Sequence, residues 1–239
     1  MENGLRCAVF GASGGIGAAL VNQLAARDDV AQVYALARKS LEASPKIHPH
    51  TFDLADEVTI AAACASIGGT LDLVIVATGR LVLDNGQGPE KSWRALDAAA
   101  MAEMFAINTI GPALIGKHCA PLLRKSARPV FAAISAKVGS ITDNRLGGWY
   151  SYRASKAALN MMVRNFAIEL GRTNPATIAV TLHPGTVDTP LSRPFQGNVP
   201  AEKLFTPEQS AAYLLRVING LSPADSGKLF AWDGAELPF

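Results

Sequence analysis

Tyr152 and Lys156 stand four residues apart in Tyr152-Arg153-Ala154-Ser155-Lys156, at the start of a helical stretch. That spacing puts both side chains on one helical face. A free phenol titrates near pKa ~10 and exchanges protons poorly at neutral pH. A cation held beside it stabilises the phenolate and makes the tyrosine a usable acid or base. The chemistry would be proton transfer to or from a substrate oxygen. A chance exposed pair has the same spelling, so the reading needs a second signal.

That signal lies at the N-terminus. A strand-like run, Arg6 to Phe10, leads into Gly11-Ala12-Ser13-Gly14-Gly15-Ile16-Gly17, and a helical pattern continues from Ile16 to Arg27. A phosphate needs backbone N–H groups aimed at it and no side chains in the way. Glycines allow the tight turn, and the helix N-terminus adds a favourable dipole. The spacing Gly-x-x-x-Gly-x-Gly differs from the commoner Gly-x-Gly-x-x-Gly, but strand, turn and helix follow in the right order. About 20 residues further on, an acid would bind a ribose 2′-hydroxyl and an arginine a 2′-phosphate. The segment Ala35-Leu36-Ala37-Arg38-Lys39-Ser40 has no acid. Arg38 can grip a phosphate bidentately, with Lys39 and Ser40 beside it. NADP is therefore the expected cofactor, ahead of NAD.

The elements that must position these groups read as alternating strands and helices. Strand-like runs cover Gln32 to Ala37, His50 to Leu54, Leu71 to Ala77, Val130 to Ser135 and Ile178 to His183, with Asp56 to Ile67 helical. Continuous apolar runs suit parallel strands buried on both faces. The expectation is an α/β fold: a single domain over 1–239, a doubly wound parallel sheet of Rossmann type with helices on both faces. Loops at the carboxyl edge of such a sheet hold ligands. The stretch from Thr189 to Pro207 has four prolines and little periodicity, and its length suggests a substrate loop. Leu191, Pro194, Phe195 and Leu204 would give it an apolar lining.

Composition narrows the class. The 239 residues carry net charge +2, 18% charged and 49% hydrophobic side chains. This excludes a disordered chain and gives no reason to expect a nucleic-acid or membrane-surface partner. No apolar run approaches the ~18 residues of a bilayer span. Cys7, Cys64 and Cys119 are too far apart in sequence for a thiol pair motif and read as reduced core thiols, which suits the cytoplasm. The four histidines lack acidic or thiol partners at metal-binding spacing, so no metal is expected.

Taken together, these motifs resemble the short-chain dehydrogenase/reductase family along essentially the whole chain. The quoted residues are the glycine turn, an Asp after the third strand, a helical Asn108, the Tyr152/Lys156 pair and Pro184-Gly185 after the sixth strand. Tyr150 to Asn160, His183 to Thr189 and the ending Trp232 to Phe239 are similar to the C-factor-like carbonyl reductases within it. The resemblance implies that Tyr152 exchanges a proton with a carbonyl or alcohol. It implies that Lys156 lowers the phenol's pKa and binds the nicotinamide ribose, and that Asn108 holds a water linking Lys156 to solvent. Gly11, Ser13, Gly15, Ile16, Gly17 and Arg38 would hold the phosphates, and Asp53 and Leu54 the adenine. Ala77, Thr78 and Gly79 would lie along the dinucleotide, with Pro184, Gly185, Val187 and Thr189 around the nicotinamide. A homodimer or homotetramer is implied too, packed through the helix over 151–170, which looks apolar nearly all round.

Two departures stand out. Where members carry Asn-Asn-Ala-Gly, this chain has Val76-Ala77-Thr78-Gly79. Where they carry a substrate-binding Ser three residues before a Gly, it has Ala136 in Ile134-Ser135-Ala136-Lys137-Val138-Gly139. Successive strand residues face opposite ways, so Ser135 should point away from the site. A bulge at Ser135, or Ser140 from the loop, would be needed to compensate. The expected function is hydride transfer between NADP(H) and a small carbonyl or alcohol. Ala136 motivates the alternative, a low-turnover NADP(H)-binding regulator.

Overall fold

The computed structural model describes residues 4–125 and 127–239. An eight-stranded sheet runs through them. Its strands are β1 (Leu5–Phe10), β2 (Val30–Ala37), β3 (Ile47–Thr51), β4 (Leu73–Val76), β5 (Val130–Ile134), β6 (Ile178–His183), β9 (Leu229–Ala231) and β10 (Glu236–Leu237). The order is β10-β9-β6-β5-β4-β1-β2-β3, parallel throughout except for the β9/β10 pair. A two-stranded ladder, β7 (Thr186–Val187) with β8 (Leu204–Phe205), stands apart from it.

Alternation along each central strand explains the layers. Cys7 and Val9 of β1 join Ala132 and Val180 in a core under α1 (Gly15–Ala25) and α6 (Pro207–Gly220). Ala8 and Phe10 face the other way, toward α2 (Glu57–Ile67), α4 (Gly111–Cys119) and α5 (Tyr150–Thr173). The chain moves outward from β1 to β2 and β3 on one side, then back to β4 on the other. Between β1 and β4 the winding reverses, and the crevice at that point is where such sheets bind ligands.

Several boundaries differ from the sequence reading. The third strand is Ile47–Thr51, not His50 to Leu54; Asp53 and Leu54 lie beyond its end. As an edge strand holding Pro49, it lacks the two-sided burial that marks the others. The stretch from Thr189 to Pro207 is not one open loop: it contains short helical turns and β8, and α6 begins at Pro207. Cys64 and Cys119, distant in sequence, place their sulfurs 3.6 Å apart between α2 and α4.

The expectation about apolar runs also fails in one place. α3 (Ala98–Phe105), a π-helical turn (Ala106–Ile110), α4 and a short terminal turn form one 25-residue helical rod, Ala98–Leu122, long and apolar enough to cross a bilayer. Here the rod packs on the rest of the fold through Met104, Ile115 and Cys119.

Candidate active site

The glycine turn closes tightly after β1. Gly11 has φ +85, and a Cβ there would lie 2.9 Å from the Ala77 carbonyl carbon. A Cβ on Gly17 would lie 2.1 Å from the Gly11 oxygen. Only glycine permits both the turn and the approach of α1 to it. No side chain caps α1 at Gly14, so its first-turn N–H groups point outward at the carboxyl edge of the sheet. Ser13 is exposed there, and Arg38 is exposed just past the end of β2. Among the described residues Arg38 makes no ion pair.

Beside the turn opens a cavity of about 320 Å³. It gathers Ile16, Ala77, Thr78, Gly79, Tyr152, Lys156, Pro184, Gly185, Val187 and Thr189 from the expected site. The cavity does not include Gly11, Ser13, Gly15, Gly17, Arg38, Asp53, Leu54 or Asn108. Gly11 to Gly17 form its neighbouring rim. Asp53 is exposed, and its carboxylate accepts the Ala55 N–H at 2.9 Å. Leu54 is half-buried and packs where a Cβ on Gly111 would sit. Asn108 is buried directly behind Gly79.

Tyr152 and Lys156 sit on the first two turns of α5, 7% and 2% exposed. The Lys156 ammonium donates to the Ile134 carbonyl at 3.0 Å and lies 6.0 Å from the centre of the Tyr152 ring. A Cβ on Gly79 would meet Lys156 Nζ at 3.3 Å and Asn108 Oδ1 at 3.5 Å, so these groups face each other across a glycine. Asn108 occupies the π-helical turn, a local widening common at functional positions. Its Oδ1 accepts the Arg80 N–H at 2.8 Å, and its Nδ2 donates to the Arg80 carbonyl at 2.8 Å and to Ser155 Oγ at 3.2 Å.

Electrostatics depart from expectation at the phenol. Burial pushes Tyr152 up to about 12, outweighing Lys156, and pushes Lys156 down to about 8. The tyrosine thus remains a proton donor through the neutral range. Stability follows from the same values. Between about 8 and the ordinary 10.5, the unfolded chain holds the Lys156 proton more often than the folded one, so stability rises with pH. Between 10.0 and about 12, the folded chain keeps the Tyr152 proton, so stability falls. Urea midpoints should rise from pH about 8 to about 10, and Lys156→Met should lose that rise. An equal slope in the variant would contradict the assignment.

Ala136 lines the cavity and packs with Tyr152, Leu81 and Met104. Ser135 does not replace the missing hydroxyl, because its Oγ donates to Asn160 Oδ1 at 2.7 Å. Ser140 Oγ accepts the Asp143 N–H at 3.1 Å. His183, at the end of β6, also lines the cavity, and burial pushes it down to about 4, leaving it neutral.

Sequence reasoning missed two groups. Trp149 forms an aromatic wall with Phe195, ring centres 5.0 Å apart. Glu90 is buried beside the start of α5. The Gly147-Gly148 pair before Trp149 was the available signal. Helix α5 buries one face, through Tyr152, Lys156, Leu159 and Val163. Met161 and Ile168 remain exposed in the chain, so it is not enclosed on all sides.

The residues fit a dinucleotide on structural grounds. The glycine turn leaves uncapped N–H groups, and Thr78 Oγ1 is buried at the cavity with no partner among the described residues. Such an orphan calls for a ligand group or water.

Comparison with known proteins agrees with this geometry. The family model described as short chain dehydrogenase matches residues 6–199. C-signal of Myxococcus xanthus is 39% identical over 168 residues, 69% of this chain and 96% of that protein. The 1-hydroxy-2-glutathionyl-2-methyl-3-butene dehydrogenase of Rhodococcus sp. (strain AD45) is 36% identical over 178 residues, 74% of this chain and 73% of that protein. The NADPH-bound carbonyl reductase from chicken fatty liver superposes with TM-score 0.82 at 27% identity, covering 99% of this chain and all of that one.

Proposed function

The chain belongs to the short chain dehydrogenase family, and from that premise we propose that it reduces a small carbonyl compound with NADPH, in the manner of the C-factor-like members. The observation that carries this reading is the buried Tyr152/Lys156 pair opening into a cleft continuous with the glycine turn. NADPH, when bound, supplies the hydride to the carbonyl carbon. Tyr152 donates the proton to the carbonyl oxygen. Lys156, held by the Ile134 carbonyl, keeps positive charge near the phenol as that proton leaves. Asn108 fixes the backbone at Arg80 and borders Lys156, where a water can pass a proton inward. Leu81, Val138 and Trp149 keep bulk water from the reacting centre.

Arg38 is assigned to the 2′-phosphate of NADPH. Arg38→Ala should raise the Kd for NADPH about 10-fold and move that for NADH less than about twofold, as fits one lost charge-assisted contact. Fluorescence titration checks both, and tighter wild-type binding of NADH would overturn the cofactor assignment. The activity is tested by NADPH consumption across a panel of ketones and aldehydes, with the alcohol product measured in equal amount.

A second reading, a cofactor-binding regulator, draws on Ala136 and on the similarity to C-signal. Tight NADPH binding with no turnover on any carbonyl would favour it. Assembly through the α5 face and a reducing cytoplasmic location belong to the main reading, supported by exposed Met161 and Ile168 and by three free thiols.

A further inference from the structure

Helix α5 starts without a cap from its own neighbour. Trp149 precedes it at φ +53, ψ +41, the one non-glycine residue with positive φ among those described. Gly147 and Gly148 are left-handed as well, at φ +63 and +65. A left-handed turn therefore runs straight into a right-handed helix, and its polar groups need partners from elsewhere.

Glu90 supplies them from 61 positions upstream. It is 6% exposed. Its carboxylate accepts the Ser151 N–H at 3.1 Å and, through the other oxygen, the Ser151 hydroxyl. Its backbone carbonyl accepts the Trp149 N–H at 2.5 Å. Arg153 braces the turn from the other side, donating to the Gly148 carbonyl at 3.1 Å. Glu90 itself does not line the main cavity, but the two residues it brackets are next to or part of its wall. Ser151 adjoins Tyr152, and Trp149 packs edge-on to Tyr152 at 6.2 Å and to Phe195 at 5.0 Å.

We propose that Glu90 is a positioning and specificity-determining residue. It holds the first turn of α5 and keeps the Trp149 indole as a wall against Phe195, so the pocket selects carbonyl compounds with an apolar ring beside the carbonyl. The selectivity part rests on the carbonyl-reductase reading; the positioning part does not.

The test uses the full chain as wild type, Glu90→Ala, Glu90→Gln, Trp149→Ala and Glu90→Ala/Trp149→Ala. NADPH affinity, and kcat and KM on an aromatic aldehyde and on acetone, are measured for each. Fluorine NMR of fluorotryptophan-labelled protein reports the indole directly, with Trp149 assigned by Trp149→Phe. Glu90→Ala should shift or broaden the Trp149 resonance. It should raise KM for the aromatic aldehyde about 10-fold, as loss of charge-assisted bonds implies, and move KM for acetone and Kd for NADPH less than about twofold. Glu90→Gln should recover most of the loss, since an amide can accept the Ser151 N–H and donate to its hydroxyl. The double variant should be no worse on the aldehyde than Trp149→Ala alone. Additive losses, equal rises in both KM values, or a parallel rise in the NADPH Kd would overturn the proposal and leave Glu90 a general support of the fold. If Glu90→Ala does not fold, Ser151→Ala carries the same expectations at about threefold. If wild type turns over no carbonyl at all, the functional reading fails, and the Trp149 resonance alone decides the positioning role: unmoved refutes it, moved supports it.

Discussion

Tyr152→Phe is expected to lower kcat by roughly 10³-fold while NADPH affinity stays within about twofold, a size typical of losing a positioned general acid. The substitution removes one oxygen and keeps the ring, so the contacts with Trp149, Ala136 and Met104 persist. No neighbour can take over the proton. His183 is held neutral by burial, and Lys156 is tied to the Ile134 carbonyl. Turnover at the wild-type rate on a validated carbonyl, in protein that still binds NADPH, would remove Tyr152 from the chemistry.

Ala136→Ser should act in the opposite direction, raising kcat/KM about 10-fold or more. Removing a donor to a developing oxyanion costs 10²–10³ in rate in well-studied cases, so supplying one has room to help. The position borders the cavity beside Tyr152, and its backbone is extended at φ −150, ψ +147, where serine fits without strain. The full gain is not expected, because residue 136 also precedes the short helical turn Lys137–Gly139. A serine there has a competing partner in that turn's N–H groups. Single-turnover rates of wild type and Ala136→Ser on one substrate give the answer. An unchanged rate would mean that the substrate oxygen already has a second donor or that the new hydroxyl caps the turn.

What could be read from the chain in advance follows from how local each signal is. β1, the glycine turn and α1 are contiguous, and their constraint is backbone geometry within a few residues. The Tyr152/Lys156 pair is likewise a property of one helix. β3 was displaced because it is an edge strand with Pro49 and only partial burial, so it lacks the apolar run that marked β5 and β6. β9 and β10 are too short to show a period. The phenol's environment was misjudged since the charge of Lys156 is visible in sequence and the depth of burial is not. Glu90 was illegible for a related reason: its partners lie 59 and 61 positions away, and nothing near it announces a buried carboxylate.

The π-helical turn at Ala106–Ile110 has a consequence for how this chain can change length. An α-helix advances 3.6 residues per turn. Counting from Ala100 and Met104, that period would bring residues near 107, 111 and 118 inward. The buried positions are instead Asn108 and Cys119, one residue later. The wide turn absorbs an extra residue and rotates everything after it by about 100°. One rod can thus present Met104 to the site and Cys119 to the sheet core. Insertions and deletions in this helix are not interchangeable with those in the surrounding loops. Losing one residue between 106 and 110 would restore a regular helix and turn Ile115 and Cys119 away from the core, whereas the same loss in the exposed segment around Asn144 would leave both faces in phase.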